Sequence, residues 1–372
     1  MVKIVYVVPR LNNAGPINQV YNLISNLDRK KFNVHIITMY QELEESRKAD
    51  FEILKIPIKC LKLKHKCFSF IAINRINKLL KEIQPEIVHS ETLPADILIS
   101  SVSRNFKWCT TIHCNIYNDY LLRFPKEIAK PLIFLHSRCL KKTDKLISCS
   151  ITLHKFYFQK GLETIAIQNG VDTNKYCLDT VHDSNYWRNK LGLPYDKRII
   201  IVVGSIDYRK RSLFIVNALK NYLKENNIKL IFCGVGADLT ACKKASKGYD
   251  IEFRGKIIDV VPYLNAVDLY LSASSSEGLP MSVIEAGCCG LPLVLSDIEQ
   301  HKELIMEGTS VRGIEFAQLD NEIEFVNAVK HVLYMDIDKK KITDYFQNSF
   351  SALIMANKYQ NVYSKLKMEN KE

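Results

Sequence analysis

A chain of 372 residues exceeds what one hydrophobic core ordinarily organises and points to two domains. With 47% hydrophobic and 25% charged residues it has a soluble globular composition, and no run reaches the roughly 18–20 apolar residues of a membrane span. The net charge of +12 sits mostly in residues 1–185, where 27 Lys and Arg face 17 Asp and Glu. A basic half admits three readings: nucleic acid, an anionic membrane surface, or plain solubility. Nucleic acid is the weakest, because no helix-turn-helix, zinc-finger spacing or aromatic RNA-binding signature is present. Eleven cysteines, an odd number without a Cys-x-x-Cys pair, argue for reduced thiols in the cytoplasm. The opening Met1-Val-Lys-Ile-Val-Tyr-Val-Val-Pro9 reads as a strand and not as a signal peptide.

From the N-terminus, short apolar runs alternate with helical patterns. Val2–Val8 reads as a strand, followed by the polar loop Pro9–Pro16 and a helix over 17–27. Asn33–Met39, Pro85–His89, Trp108–His113 and Lys145–Cys149 read as further strands. Strands alternating with helices predict right-handed βαβ units and a parallel sheet, with ligand loops at the strands' carboxyl ends. Residues 173–195 are polar and read as a linker with a short helix around Trp187. The alternation then restarts with Arg198–Gly204, an unbroken apolar run that predicts a strand buried on both faces. Its loop, Ser205–Arg211, carries three consecutive cations before the next helix, either a solvated basic loop or a diphosphate contact. Lys229–Cys233 reads as a strand ending in Gly234-Val-Gly236, and Ile251–Gly255 as a strand and turn. A helix is expected over 259–266 and a long one over 345–363.

Between the strand Asp268–Ala273 and the strand Leu293–Ser296 lies Glu277-Gly-Leu-Pro-Met-Ser-Val-Ile-Glu285-Ala. Pro280 suits the first position of a helix and Gly290 the left-handed residue beyond its end. The N–H groups from Gly278 to Met281 suit a phosphate, while Glu277 and Glu285 suit hydroxyls on either side of it.

These ten residues resemble the Glu-x7-Glu signature of the retaining glycosyltransferases of family 4. That resemblance covers nearly the whole chain, most strongly residues 251–316 and least residues 40–85. It implies an α/β GT-B fold, two doubly wound parallel-sheet domains with an interdomain cleft. The expected boundaries are 1–172 for an acceptor-side domain, 173–195 for the linker, and 196–349 for a nucleotide-sugar domain. Residues 350–372 are expected to pack back on the first domain as a helix. Glu277 is implied to bind the donor sugar, Glu285 the ribose, and Gly278, Leu279, Pro280 and Met281 the phosphate. Lys210 matches the lysine that neutralises the donor diphosphate. Ser205 stands where that family usually has Arg, so Arg209 or Arg211 is expected to supply the charge. His113, at a strand's end, is implied to hydrogen-bond a sugar hydroxyl. Asn13 and Gly15 fall on the acceptor loop, though Asn13-Ala14 replaces the family's usual glycine pair.

The implied activity is metal-independent transfer, with retention and no cofactor, from a nucleotide-sugar donor, UDP-linked in most such enzymes. The acceptor would be a saccharide or a lipid-linked saccharide in polysaccharide biosynthesis. Two alternatives are a GT-B nucleotide-sugar epimerase and a non-catalytic sugar-binding subunit of a polysaccharide assembly complex. No nucleic acid partner is expected. A cytoplasmic enzyme, peripheral at the inner face of the membrane, would use Lys55, Lys59, Lys62, Lys64 and Lys66, interleaved with apolar residues in 53–70. The bland reading of that segment is a strand and loop with solvated lysines.

Overall fold

A computed structural model describes residues 1–64 and 70–369. The chain divides into two compact units, Met1–Gly170 with Ala352–Glu372, and Val171–Ser351. The strands of the first unit are β1 (Val2–Val8), β2 (Phe32–Thr38), β3 (Ile58–Cys60), β4 (Ile87–Glu91), β5 (Lys107–Ile112), β6 (Lys145–Ser148) and β7 (Ile165–Ala166). Its helices are α1 (Gly15–Ser25), α2 (Lys48–Ile53), α3 (Phe70–Ile83), α4 (Thr92–Ser100), α5 (Ile116–Arg123), α6 (Lys126–Leu140) and α7 (Ile151–Gln159). The strands form one parallel sheet in the order β3-β2-β1-β4-β5-β6-β7, so the direction of winding switches between β1 and β4.

Alternation along β1 explains its unbroken hydrophobicity. Ile4, Tyr6 and Val8 enter a core on one face of the sheet, and Val5 and Val7 enter a core on the other. A strand covered on both faces favours apolar side chains at successive positions. Helix α3 supplies Ala72, Ile76 and Leu80 to the second core at the four-residue spacing that aligns one helical face.

In the second unit β8 (Arg198–Val203), β9 (Ile228–Cys233), β10 (Ile251–Phe253), β11 (Leu269–Ser272), β12 (Leu293–Ser296) and β13 (Ile314–Ala317) form a parallel sheet in the order β10-β9-β8-β11-β12-β13. The helices are α8 (Ser184–Leu191), α9 (Ser212–Glu225), α10 (Leu239–Ala245), α11 (Val261–Ala266), α12 (Met281–Cys288), α13 (Glu299–Lys302), α14 (Glu322–Leu333) and α15 (Lys339–Phe350). The winding switches between β8 and β11, which places the loop after β8 beside the loop after β11. Residues 173–195 lie within this unit. Nearly buried Arg188 on α8 donates to the Ala266 carbonyl at 2.8 Å and pairs with Asp268 at 2.7 Å.

The long helix expected over 345–363 is two helices. Ser351 is extended, ending α15, and α16 (Ala352–Met368) belongs to the first unit. Met355, Ala356, Tyr359, Val362, Tyr363 and Leu366 of α16 complete the core over β1. Tyr363 hydrogen-bonds Tyr6 at 2.5 Å and His89 at 2.7 Å, and Tyr359 hydrogen-bonds Thr111 at 3.0 Å. Helix α12 also starts one residue later than expected, with Pro280 as the residue before its first turn. Gly290 does hold the left-handed conformation, at φ +74°.

In 53–70 the described lysines Lys55, Lys62 and Lys64 are exposed, and Lys59 pairs with Glu82. Ile56 and Leu61 are buried, whereas Ile53 is 77% exposed and Phe70 86% exposed, so the ends of this stretch offer apolar side chains beside the lysines. Lys66 lies outside the described residues.

Glycine shapes the loop after β8. A Cβ on Gly234, at the end of β9, would lie 1.7 Å from the Gly204 carbonyl oxygen, a backbone atom that cannot swing aside. Gly234→Ala is therefore expected to lower stability by about 1–3 kcal/mol, read from urea unfolding. An unchanged midpoint would show that the two loops do not approach in this way.

Candidate active site

The loops that meet at the second unit's switch point are stitched together by their backbones. Ser275 N donates to the Arg209 carbonyl at 2.9 Å, and Ser275 Oγ donates to the same oxygen at 3.2 Å. Buried Glu277 lies between two cations, with Oε1 2.6 Å from Lys210 Nζ and Oε2 2.8 Å from Arg209 Nη1. Arg209 also donates to the Ser276 carbonyl at 2.9 Å. Burial acts to raise the Glu277 carboxyl, but Lys210 and Arg209 outweigh it and hold it at about 2. The group is thus an anion at neutral pH, with Lys210 and then Arg209 as its largest Coulombic supports.

Each cation is itself positioned. Lys210 N donates to Asp207 Oδ1 at 2.9 Å, and Ser205 Oγ donates to Asp207 Oδ2 at 2.6 Å. Ser205, where the resembled family carries Arg, thus braces the loop through Asp207. Gly204 holds φ at +142°, and a Cβ there would lie 3.3 Å from Lys210 Cε. Arg211 turns elsewhere: it pairs with Asp320 and stacks over Phe214 at 4.7 Å. Of the two arginines expected as substitutes, only Arg209 converges with Lys210.

Helix α12 begins directly after this loop, with Leu279 and Pro280 buried and Gly278 partly exposed. Tyr270 on β11 donates to Ser282 Oγ at 2.8 Å, fixing the helix start against the sheet. Glu285, on the second turn, hydrogen-bonds Tyr176, whose phenol is pushed up by burial and then by that carboxylate. Buried His301 bonds groups that are themselves buried: its Nδ1 donates to the Ser296 carbonyl at 2.9 Å and its Nε2 faces Ser272 Oγ at 3.3 Å. Burial pushes His301 down to about 4, so it is neutral there.

In the first unit His113 follows β5 and its Nε2 lies 2.7 Å from Glu91 Oε2. Glu91 ends β4 and is fully buried; burial raises its carboxyl, with His113 opposing. His89 also approaches Glu91, at 3.3 Å, but burial pushes His89 down to about 3, so that contact is no ion pair. Glu91 therefore fixes the ring of His113 and leaves Nδ1 as the nitrogen that does not meet it. Asn13 and Gly15 lie in the loop after β1, where Gly15 is exposed and opens α1. A Cβ on Gly15 would meet nothing within 4 Å.

Comparison with known proteins gives this geometry a family. A family model described as Glycosyltransferase Family 4 matches residues 15–175, and one described as Glycosyl transferases group 1 matches residues 197–334. The chain is a glycosyltransferase, with a family 4 domain followed by a group 1 domain. The O-antigen biosynthesis glycosyltransferase WclY of Escherichia coli is 26% identical over 98% of each chain. The UDP-Gal:alpha-D-GlcNAc-diphosphoundecaprenol alpha-1,3-galactosyltransferase of Escherichia coli is 25% identical over 77% of each chain. Among solved structures, Anabaena HepE in complex with UDP and glucose superposes with a TM-score of 0.78 at 16% identity, covering 98% of this chain and 100% of that one. The two parallel sheets of this glycosyltransferase are those of the GT-B fold.

Sequence reasoning missed Glu91, Asp207 and Tyr176. Glu91 had a signal, a carboxylate at the carboxyl end of a strand in His89-Ser-Glu91. Asp207 and Tyr176 are ordinary loop residues until the loops are folded. Among the described residues no three His, Cys, Asp or Glu side chains group as a metal site.

The Glu277 cluster has a consequence for stability. A carboxyl held below its ordinary range stabilises the fold above pH 4.5 and loses that contribution as pH falls toward 2. The contribution amounts to about 3 kcal/mol. The stability gap between the parent and Glu277→Gln should therefore narrow from pH 6 to pH 3 in urea unfolding. A gap independent of pH would mean that Glu277 is not held by its cations.

Proposed function

We propose that this glycosyltransferase moves a sugar from a UDP-linked donor to a saccharide or lipid-linked saccharide in polysaccharide biosynthesis, retaining the anomeric configuration and using no metal. The observation that carries this reading is the convergence of Lys210, Arg209 and Glu277 at the switch point of the second sheet. The relatives' names, an O-antigen transferase and a transferase to a diphosphoundecaprenol-linked sugar, favour that acceptor class.

In the reaction the bond from the anomeric carbon to the diphosphate breaks, and its electron pair stays on the phosphate oxygen. An acceptor hydroxyl oxygen forms the new bond to that carbon, and its proton leaves with the nucleoside diphosphate. Negative charge grows on the leaving oxygen, where fixed cations stabilise it without reorganising. Lys210 and Arg209 take that role, with the backbone N–H groups of Gly278, Leu279 and Met281 at the start of α12. Glu277, already an anion, accepts hydrogen bonds from sugar hydroxyls and also holds the two cations in place. Glu285 accepts from the ribose, with Tyr176 orienting it. His113, fixed by Glu91, offers Nδ1 to a sugar hydroxyl, and the Asn13–Gly15 loop serves the acceptor.

Isothermal titration with UDP and with uridine tests these roles. Glu285→Ala should weaken both ligands by about 10-fold or more, since a hydrogen bond to a charged group contributes ~1.5–3 kcal/mol. Lys210→Ala should weaken UDP far more than uridine, and a chelator should leave the parent's UDP affinity and turnover unchanged. Equal losses for UDP and uridine in Lys210→Ala would remove the lysine from the diphosphate, and a strict need for a divalent ion would remove the metal-free mechanism.

A further inference from the structure

The helices that follow His113 turn an unpaired apolar face outward. Eight consecutive residues, 121–128, are exposed. Four of them are large and apolar: Leu121, Leu122, Phe124 and Ile128. On α6, Ile128, Pro131, Leu135 and Arg138 recur at spacings of three, four and three, which aligns them in one stripe. Phe134, 64% exposed, stands beside the stripe, with Arg138 stacked over its ring at 5.7 Å.

This stripe cannot roll inward, because the opposite face of α6 is tied to the sheet. Buried His136 bonds Asp96 Oδ2 at 2.8 Å through Nε2 and Tyr120 Oη at 2.8 Å through Nδ1. The other oxygen of Asp96 accepts from Ser90 at 2.6 Å and from Thr110 at 2.7 Å. Rotating α6 would strip a buried carboxylate of its partner, so the apolar residues stay outside.

Charge decides what could cover them. Residues 121–142 carry Arg123, Lys126, Lys130, Arg138, Lys141 and Lys142, all exposed, against Glu127 alone. A second copy docking by the same patch would bring six cations against six. Protein interfaces are in general depleted of lysine. Large apolar side chains ringed by cations, on helices lying along the surface, instead suit the boundary of an anionic bilayer. Among the described residues no helix is long and apolar enough to cross a membrane, so the contact would lie on the surface.

We propose that the end of α5, the turn at Phe124-Pro125 and the outer stripe of α6 form a docking face for an anionic lipid surface. The turn into α5 is capped by Asn115, two residues after His113, so the face adjoins the first unit's candidate site along the chain. The purpose of the contact, access to a lipid-linked acceptor, rests on the function proposed above; the contact itself does not. This face gathers more exposed cations and more large exposed apolar side chains than the described part of 53–70, where Ile53 and Phe70 are the large apolar side chains exposed.

Co-sedimentation of the full chain with vesicles of 30% phosphatidylglycerol in phosphatidylcholine, against pure phosphatidylcholine, tests the proposal. Binding should require the anionic lipid and weaken steeply as salt rises. Lys126→Gln, Lys130→Gln and Lys141→Gln together should lower the partition coefficient roughly 100-fold. Phe124→Ser with Phe134→Ser should lower it at least tenfold while leaving the salt dependence in place. Lys55→Gln, Lys62→Gln and Lys64→Gln together should leave it within about twofold, because the contact is assigned to α5 and α6; a loss as large as that of the first set overturns the assignment. All three sets replace exposed side chains, and thermal unfolding checks that each variant is folded. Equal binding to neutral vesicles, or binding untouched by the first two sets, overturns the proposal. So does a concentration-dependent dimer in light scattering that Phe124→Ser with Phe134→Ser dissolves, which would assign the face to a second copy. Donor hydrolysis measured without vesicles separates the two readings: vesicle binding without hydrolysis keeps the face and removes the enzyme, and the reverse keeps the enzyme alone.

Discussion

One carboxylate organises the second unit's ligand end. Glu277 is buried, and an ionised carboxylate in that position persists only if cations accompany it. Lys210 and Arg209 do so from the loop after β8, while Glu277 comes from the loop after β11. Two loops far apart in sequence are thereby held in one geometry, at the point where the sheet's winding reverses. Gly204, Gly234 and Asp207 serve the same end from below: the glycines let the β8 loop lie against the end of β9, and Asp207 fixes the Lys210 backbone. Two cations are thereby held against the loop that leads into α12, which is the arrangement on which the proposed stabilisation of a departing diphosphate rests.

The first unit uses the same physics with a different outcome. Its buried polar groups, His89, Thr111, Tyr6, Tyr359 and Tyr363, satisfy one another and stitch α16 to the sheet. Glu91 differs, because its partner His113 is the one group of that set at the edge of solvent. A structural network has been extended by one residue to orient an imidazole. The Asp96–His136 pair does comparable work for α6, holding its inner face inward and so leaving Ile128, Phe134 and Leu135 exposed.

Much of this was legible in the chain itself. Val2–Val8 and Leu293–Ser296 were bounded to the residue, because a strand buried on both faces is a short apolar run between polar loops. The spacing of Glu277 and Glu285 and the position of Lys210 carried the resemblance, and the family models match residues 15–175 and 197–334. What stayed hidden depended on long-range pairing. Whether Arg209 or Arg211 joins Lys210 is decided by Asp320, which draws Arg211 away from a distance of more than a hundred residues. The split of the last helical pattern at Ser351 was hidden for a different reason: its helical periodicity runs on through the break, and only the return of α16 to the first unit demands an extended residue there. The lysines of 53–70 suggested a membrane contact by composition; in the fold Ile56 and Leu61 turn inward while Ile53 and Phe70 stay exposed, so composition alone did not show which apolar side chains reach the surface.

The central claim is that Lys210, Arg209 and Glu277 form the donor site of a working transferase. Slow donor hydrolysis, followed by release of nucleoside diphosphate from a panel of UDP-, GDP-, ADP- and dTDP-sugars, tests it without knowledge of the acceptor. The account predicts measurable release from a UDP-sugar, abolished in Glu277→Gln although that variant remains folded. Release that Glu277→Gln sustains at the parent's rate would contradict it.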